Sequence, residues 1–206
     1  MSQVDLMAVF SAILRDYRNA RANEEFGSES KMYRTFVELR KSFEMASPIT
    51  ERRSLLVRAS VGQGNWARVP WIAFLDGRET KSTMKGVYCA YLFKHDMTGF
   101  YLTLTQGISE HIKRLGTTDG LKLLIAKSDS IRSIVRSVRD HGFSSGEGID
   151  LVDEARPNAL YKAATVVSKF YVTGAIPETK TLFDDLTALL GVYDRYITSS
   201  RLVRSS

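Results

Sequence analysis

The chain has 206 residues, with 29 Lys and Arg against 23 Asp and Glu, a formal charge of +6. Hydrophobic residues at 44% and charged residues at 25% are the proportions of a globular domain large enough to fold without disulfides or a structural metal. The single cysteine, Cys89, excludes an internal disulfide framework and fits a reducing, cytoplasmic compartment, and no apolar run approaches the ~18 residues that cross a bilayer.

Val4, Met7, Phe10, Ile13, Leu14 and Tyr17 recur at helical spacing and predict an amphipathic helix over 4–22. A polar break leads to a second helix over 31–45, which Ser47-Pro48 stops because a residue before proline avoids the helical region. From Leu55 the pattern becomes short apolar runs, 54–61, 69–75, 86–94 and 99–105, with turn residues at Gly62, Gly64, Asp76-Gly77 and Asp96 between them. This is a strand meander, most simply an antiparallel sheet.

Helical spacing returns after Gly107. Ser109 to Leu115 forms a short helix, Thr118 or Asp119 caps the next, and Ser128 or Asp129 caps a third that buries Ile131, Ile134, Val135 and Val138 and ends at Gly142. A short strand over 149–152, a strand over 160–172 and a closing helix from Pro177 to about Thr198 complete the pattern. The expected fold is α+β, a central, mostly antiparallel sheet flanked by helices. An N-terminal helical extension over 1–50 precedes a domain over 51–200.

Several chemistries lack their residues. The run Gly77 to Ser82 (GRETKS) misses the second glycine of a phosphate-binding loop, so no NTPase activity is expected. Three separated histidines, His95, His111 and His141, with one cysteine give no zinc spacing. Cys89, inside an apolar strand, reads as a buried thiol rather than a partner of His95. A metal-dependent nuclease would set an acidic residue before Glu-x-Lys. Asp153 with Glu178 and Lys180 has that spacing, although an acidic residue after Pro177 is also what a helix start favours. No cofactor or metal is expected.

The segment Val57 to Leu75 (VRASVGQGNWARVPWIAFL), with Gly86 to Phe93 (GVYCAYLF) and Tyr101 to Ile108 (YLTLTQGI), resembles the N-terminal DNA-binding domain of McrB, the recognition subunit of modification-dependent restriction systems. The likeness covers roughly 50–198 and is most specific over 62–93. It implies a domain that flips a modified cytosine, typically 5-methylcytosine, out of DNA into a pocket. The glycine loop, with Gln63, Gly64 and Asn65, would enter the duplex at the vacated base. Gln63 stands where the family commonly has an aromatic, and a glutamine hydrogen-bonds the orphaned base without stacking on it. The resemblance makes Trp71 the pocket wall, Leu92 the contact for the C5 substituent and Tyr88 a second tyrosine beside the pocket. Phe143 is the nearest candidate for a further stacking aromatic. By pattern alone, Trp71 and Tyr88 also suit the core of a sheet.

Arg58 and Arg68 bracket the glycine loop, and Arg78, Lys81 and Lys85 populate the next turn, as a phosphate footprint would. Arg132, Arg136 and Arg139 form a basic stripe that is equally a solvated helix face. The leading expectation is a non-catalytic module that reads modified cytosine in double-stranded DNA. It would serve an AAA+ GTPase motor and a nuclease subunit, in cis or in trans, with no membrane partner. The alternatives are a small nuclease using Asp153, Glu178 and Lys180, and a protein-interaction domain of a defence system.

Overall fold

The structure, a computed structural model, describes residues 4–205. Strands β1 (Leu55–Gly62), β2 (Trp66–Asp76), β3 (Val87–Phe93), β4 (Gly99–Gln106), β5 (Ser144–Ser145) and β6 (Thr165–Val172) form one antiparallel sheet in the order β1-β2-β3-β4-β6-β5. With six α-helices around it, the chain is α+β as expected. The four meander strands lie where the apolar runs put them, β2 starting three residues earlier than the run over 69–75.

Strand alternation sends Val57, Ile72, Phe74, Cys89, Tyr91 and Leu102 to one face, where α1 (Leu6–Asn23), α2 (Lys31–Glu44) and α6 (Thr179–Ser205) cover them. Both N-terminal helices have true caps: the Asp5 carboxylate accepts from the Ala8 amide, and the Ser30 hydroxyl from that of Tyr33. Phe10 of α1 sits edge-on to Tyr91, Phe93 and Phe100 at centroid distances of 5.1, 5.5 and 4.8 Å, so the first helix shares its core with the sheet. Tyr193 of α6 donates to the Val87 carbonyl at 2.6 Å and accepts from the Asp76 amide at 3.1 Å, fastening that helix across two strand ends.

The sequence reading departs from the structure mainly after Gly107. A one-turn helix, α3 (Ser47–Thr50), follows the proline stop, with Pro48 in its first turn. The expected first and second helices and the start of the third are one element, α4 (Ser109–Arg132), broken only at Gly116, whose φ of 75° no β-carbon residue adopts without strain. Ser128 is therefore not an N-cap. It lies inside α4, and its hydroxyl donates to the Ala163 carbonyl at 2.7 Å. Beyond Arg132 the chain turns through a 3₁₀ segment, Arg136–His141, so Arg132 and Arg139 do not share one helix; the side chain of Arg136 lies outside the described residues. Residues 149–152 form no strand, Val152 taking a positive φ of 53°, and the span over 160–172 divides into α5 (Asn158–Ala164) and β6. The closing helix begins two residues after Pro177 and continues past Thr198.

Because Phe10 meets three rings from two strands, Phe10→Ala should cost ~3–5 kcal/mol, the usual loss for a buried phenylalanine. Urea denaturation measures it. A loss below ~1 kcal/mol, within the range of an ordinary surface change, would make α1 a dispensable extension.

Candidate functional site

The β1–β2 hairpin carries the feature that shapes the site. Ser60 pairs with Trp71 and Gly62 with Trp66, so Val61 alone faces the excursion Ala67, Arg68, Val69 and Pro70. Pro70 has no amide hydrogen to give a ladder and suits such an irregularity. From the helical layer, the buried Tyr17 hydroxyl holds the two edges together, 3.2 Å from the Val61 carbonyl and 2.9 Å from that of Ala67. Trp66 donates its indole N–H to the Glu24 carbonyl at 2.9 Å. Gly62 has a φ of 130°, and a β-carbon there would sit 1.8 Å from the Asn65 carbonyl oxygen, so only glycine closes this turn. The tip that results, Gln63, Gly64 and Asn65, is exposed.

On the face of the sheet away from α1, α2 and α6, the strand centres carry the small residues Ala73 and Ala90, paired across β2 and β3. Over them opens a cavity of about 440 Å³. Trp71 and Leu92, direct cross-strand partners, and Tyr88 further along β3 wall it, each half-buried. The strand excursion supplies one rim through Arg68 and Val69; Thr83 and Met84 supply the opposite one. The Tyr88 hydroxyl donates to the Thr83 carbonyl at 3.1 Å, which ties the wall to that rim.

A third wall comes from the chain between 153 and 161, where Asp153, Arg156 and Tyr161 line the cavity. Asp153 accepts from the Tyr161 hydroxyl at 3.0 Å and from Arg68 Nε at 2.8 Å, a bridge between the excursion and α5. The Arg156 guanidinium stands 5.6 Å from the Tyr161 ring centroid. Burial pushes the hydroxyls of Tyr88 and Tyr161 above the ordinary tyrosine range, with Arg156 opposing, so both remain neutral donors. The surroundings are thus an aromatic and aliphatic box with a few fixed polar groups, the usual build of a small-ligand cavity.

Trp71, Tyr88 and Leu92 are therefore brought together, with the exposed tip Gln63 to Asn65 at the excursion end of the same hairpin. Phe143 is not at the cavity. It is buried in the core on the helical face, and Tyr161 is the further aromatic at the site. The sequence concealed Tyr161 because the Tyr/Val/Phe-rich run over 160–172 reads as continuous strand, whereas its first turn is helical.

The cations divide. Arg58, Lys81 and Lys85 are exposed, Lys85 lying 4.0 Å from Glu110. Arg68 is paired with Asp153 at the rim. Arg78 is held between Asp76 at 2.8 Å and Asp194 of α6 at 2.9 Å. Two residues of the nuclease spacing are engaged apart from each other: Asp153 bonds Arg68 and Tyr161, while Lys180 pairs with Asp184 along α6. Among the described residues no three His, Cys, Asp or Glu gather as metal ligands. Cys89 faces the helical core, where burial raises its thiol well above the ordinary range, and His95 bonds Arg21 instead.

Burial alone would raise the Asp76 carboxyl, but hydrogen bonds from Arg78 and Ser54 outweigh it and hold the group below its ordinary value. A carboxylate depressed by folding stabilises above its unfolded pKa, and that contribution disappears as pH falls through the folded value. Arg78→Ala should accordingly lower the melting temperature at pH 7 by ~2–8 °C, the equivalent of ~1–2 kcal/mol at this size. The gap to the parent should begin to shrink near pH 4, the unfolded carboxylate value, and close as pH falls through the lower folded value. Thermal melts across pH measure both, and a gap that stays constant with pH would remove the Asp76–Arg78 bond as its source.

The family model described as MrcB-like, N-terminal domain, matches residues 12–198, beginning inside α1 rather than near residue 50. No curated protein matches the chain. Among the described residues, no helix is long and apolar enough to cross a membrane.

Proposed function

The chain belongs to the MrcB-like N-terminal domain family, and from that premise we propose that it is a DNA-binding specificity module that reads a modified cytosine by taking the flipped base into the Trp71–Tyr88–Leu92 cavity. The observation that carries this reading is the pairing, on one hairpin, of an exposed glycine-bracketed tip with an aromatic-walled cavity. Family membership is consistent with a DNA-binding module, and the cavity adds the reason for a flipped base. A base inside a duplex reaches no such box, so it must leave the stack at a cost of a few kcal/mol. Stacking returns ~1–3 kcal/mol per aromatic contact. Trp71 and Tyr161 are the stacking partners, Leu92 meets the C5 substituent, and Gln63 fills the vacated space and hydrogen-bonds the orphaned partner.

Arg58, Lys81 and Lys85 are the exposed cations for phosphate contacts, with Arg68 serving from its ion pair at the rim. Arg78 belongs to this footprint only if it releases its two carboxylates. The module itself performs no catalysis in this reading; it delivers a GTPase motor and a nuclease, carried in cis or in trans. A single methyl group in an apolar pocket contributes only ~1 kcal/mol. Oligomeric avidity through the motor would raise that selectivity without new contacts.

The test is a titration against matched duplexes with cytosine, 5-methylcytosine, 5-hydroxymethylcytosine or glucosylated 5-hydroxymethylcytosine at one position, at two salt concentrations. Preferential binding of one modified duplex, with affinity falling steeply in salt, is expected. Equal binding of all four overturns the reading.

Trp71→Ala and Tyr161→Ala should each weaken the modified duplex by ~1–3 kcal/mol while leaving most binding to unmodified DNA. Loss of the folded circular-dichroism signal in Trp71→Ala would show a core residue instead. Lys81→Ala or Lys85→Ala should weaken modified and unmodified duplexes alike and reduce the salt slope by about one unit per lost contact.

Gln63→Ala should leave the melting temperature nearly unchanged, because the side chain is exposed at the tip. It should still reduce affinity for the modified duplex, and Gln63→Tyr should restore or raise it by stacking. A fluorescent base analogue opposite the target reports the flip. Parent-like binding by both variants, with no fluorescence change, would mean that the tip does not enter DNA.

A further inference from the structure

A flipped base stays tied to its strand, so the phosphates on either side of its nucleotide come to the mouth of the cavity that receives it. A cation at that mouth meets a phosphate only in the flipped complex. Cations that follow the undistorted duplex meet theirs in any complex.

Arg156 stands at such a mouth. It lines the main cavity with Tyr88 and Tyr161, and it also lines a second groove with Ile112, Lys113 and Leu160, between the start of α4 and the chain entering α5. Ile108 and Ser109 border both hollows too, so Arg156 lies where the cavity opens into the groove. Its guanidinium is 5.6 Å from the Tyr161 ring centroid. Burial raises the Tyr88 and Tyr161 hydroxyls and the Arg156 charge opposes the rise in each, which puts the cation within electrostatic reach of both walls.

Arg156 is half-buried, yet among the described residues its guanidinium makes no ion pair or hydrogen bond, and none of its nitrogens is sealed from solvent. The neighbouring carboxylates are engaged elsewhere. Asp153 accepts from Arg68, the Ala155 amide and Tyr161, Glu154 lies 3.9 Å from Arg68, and Glu110 lies 4.0 Å from Lys85. A partly desolvated guanidinium with all its side-chain donors unspent is completed by an anion from outside.

We propose that Arg156 clamps a phosphate of the flipped nucleotide at the cavity mouth, with Ser109 and Lys113 beside it in the groove, a role that rests on the base-flipping reading above. The planar guanidinium offers two parallel N–H donors that match two phosphate oxygens. Because this contact forms only once the base has entered the cavity, it stabilises the flipped complex and not the encounter with an intact duplex. Lys81 and Lys85, by contrast, serve phosphates that every duplex presents.

The experiment replaces one phosphate at a time by a neutral methylphosphonate along the modified strand of the preferred duplex and titrates each product with the parent and with Arg156→Ala. At one of the two phosphates flanking the target nucleotide, the replacement should weaken the parent ~10-fold or more, the worth of a charge-assisted contact. The same replacement should cost Arg156→Ala only ~2-fold, while every other replacement costs variant and parent alike, as a double-mutant cycle requires. With all phosphates intact, Arg156→Ala should bind the modified duplex ~10-fold more weakly and retain most binding to the unmodified one. Should Arg156→Ala lack a parent-like melting curve, Arg156→Lys takes its place in the cycle; it keeps the charge without the paired donors, and the cost at that phosphate should fall at least ~3-fold below the parent's. A parent insensitive at both flanking phosphates, an equal cost there in parent and folded variant, or an equal loss of modified and unmodified duplexes by Arg156→Ala would each overturn the clamp while leaving base reading intact. No preference by the parent among cytosine and its modified forms would remove base reading itself, and this inference with it.

Discussion

The Tyr17 hydroxyl, buried between the carbonyls of Val61 and Ala67, is the contact on which the site depends. Four residues of β2 face one of β1 at this point, and an excursion of that size leaves backbone acceptors without ladder partners. A phenol from the helical layer meets two of them, and Pro70 removes one donor that would otherwise need a partner. The excursion can therefore stay rigid inside a sheet. Its outer side becomes the rim of the cavity, and its beginning, turned by Gly62, projects the tip at Gln63. One hydroxyl thus links the first helix, the hairpin tip and the cavity wall.

The two faces of the sheet solve different physical problems. The helical face is closed by long apolar side chains, with rings such as Phe10, Phe74 and Tyr91 fully buried, so it has the close packing of a core. The other face has alanines at the centre of β2 and β3, and the chain that covers it does so only in part: α4 and α5 over β4 and β6, and Ile149 and Leu151 against Tyr101. Large rings beside small residues leave a hollow that no side chain among the described residues fills. A hollow in the middle of a sheet forfeits contacts, and such a feature persists where binding requires it.

Charge within the hollow is arranged rather than free. A carboxylate at Asp153 would be expensive in these surroundings without partners, and Arg68 and Tyr161 provide them. The same bonds orient the Tyr161 ring and the Arg68 guanidinium, so the polar groups around the cavity arrive preorganised.

By itself the sequence determined the class of fold, the four meander strands, the first two helices and the inward face of the last, because hydrophobic period and turn residues act locally. Family resemblance, carried by the run from Gly62 to Phe93, was enough to group Trp71, Tyr88 and Leu92, since they lie on adjacent strands whose alternation can be counted. Tertiary structure alone decided what comes from outside the meander. Ser128 has the chemistry of a helix cap, but inside α4 its hydroxyl is used by Ala163 and Gln106, a bond made across 35 residues and 22 residues of chain. Phe143 and Tyr161 are equally aromatic in sequence, and only the folded chain puts Phe143 in the core of the helical face and Tyr161, on α5, at the cavity. Arg68 and Arg78 look like free cations until Asp153 and Asp194 arrive from distant segments to pair with them. Local pattern records which residues share a face; which side chains finally meet depends on long-range packing, to which no short stretch of chain has access.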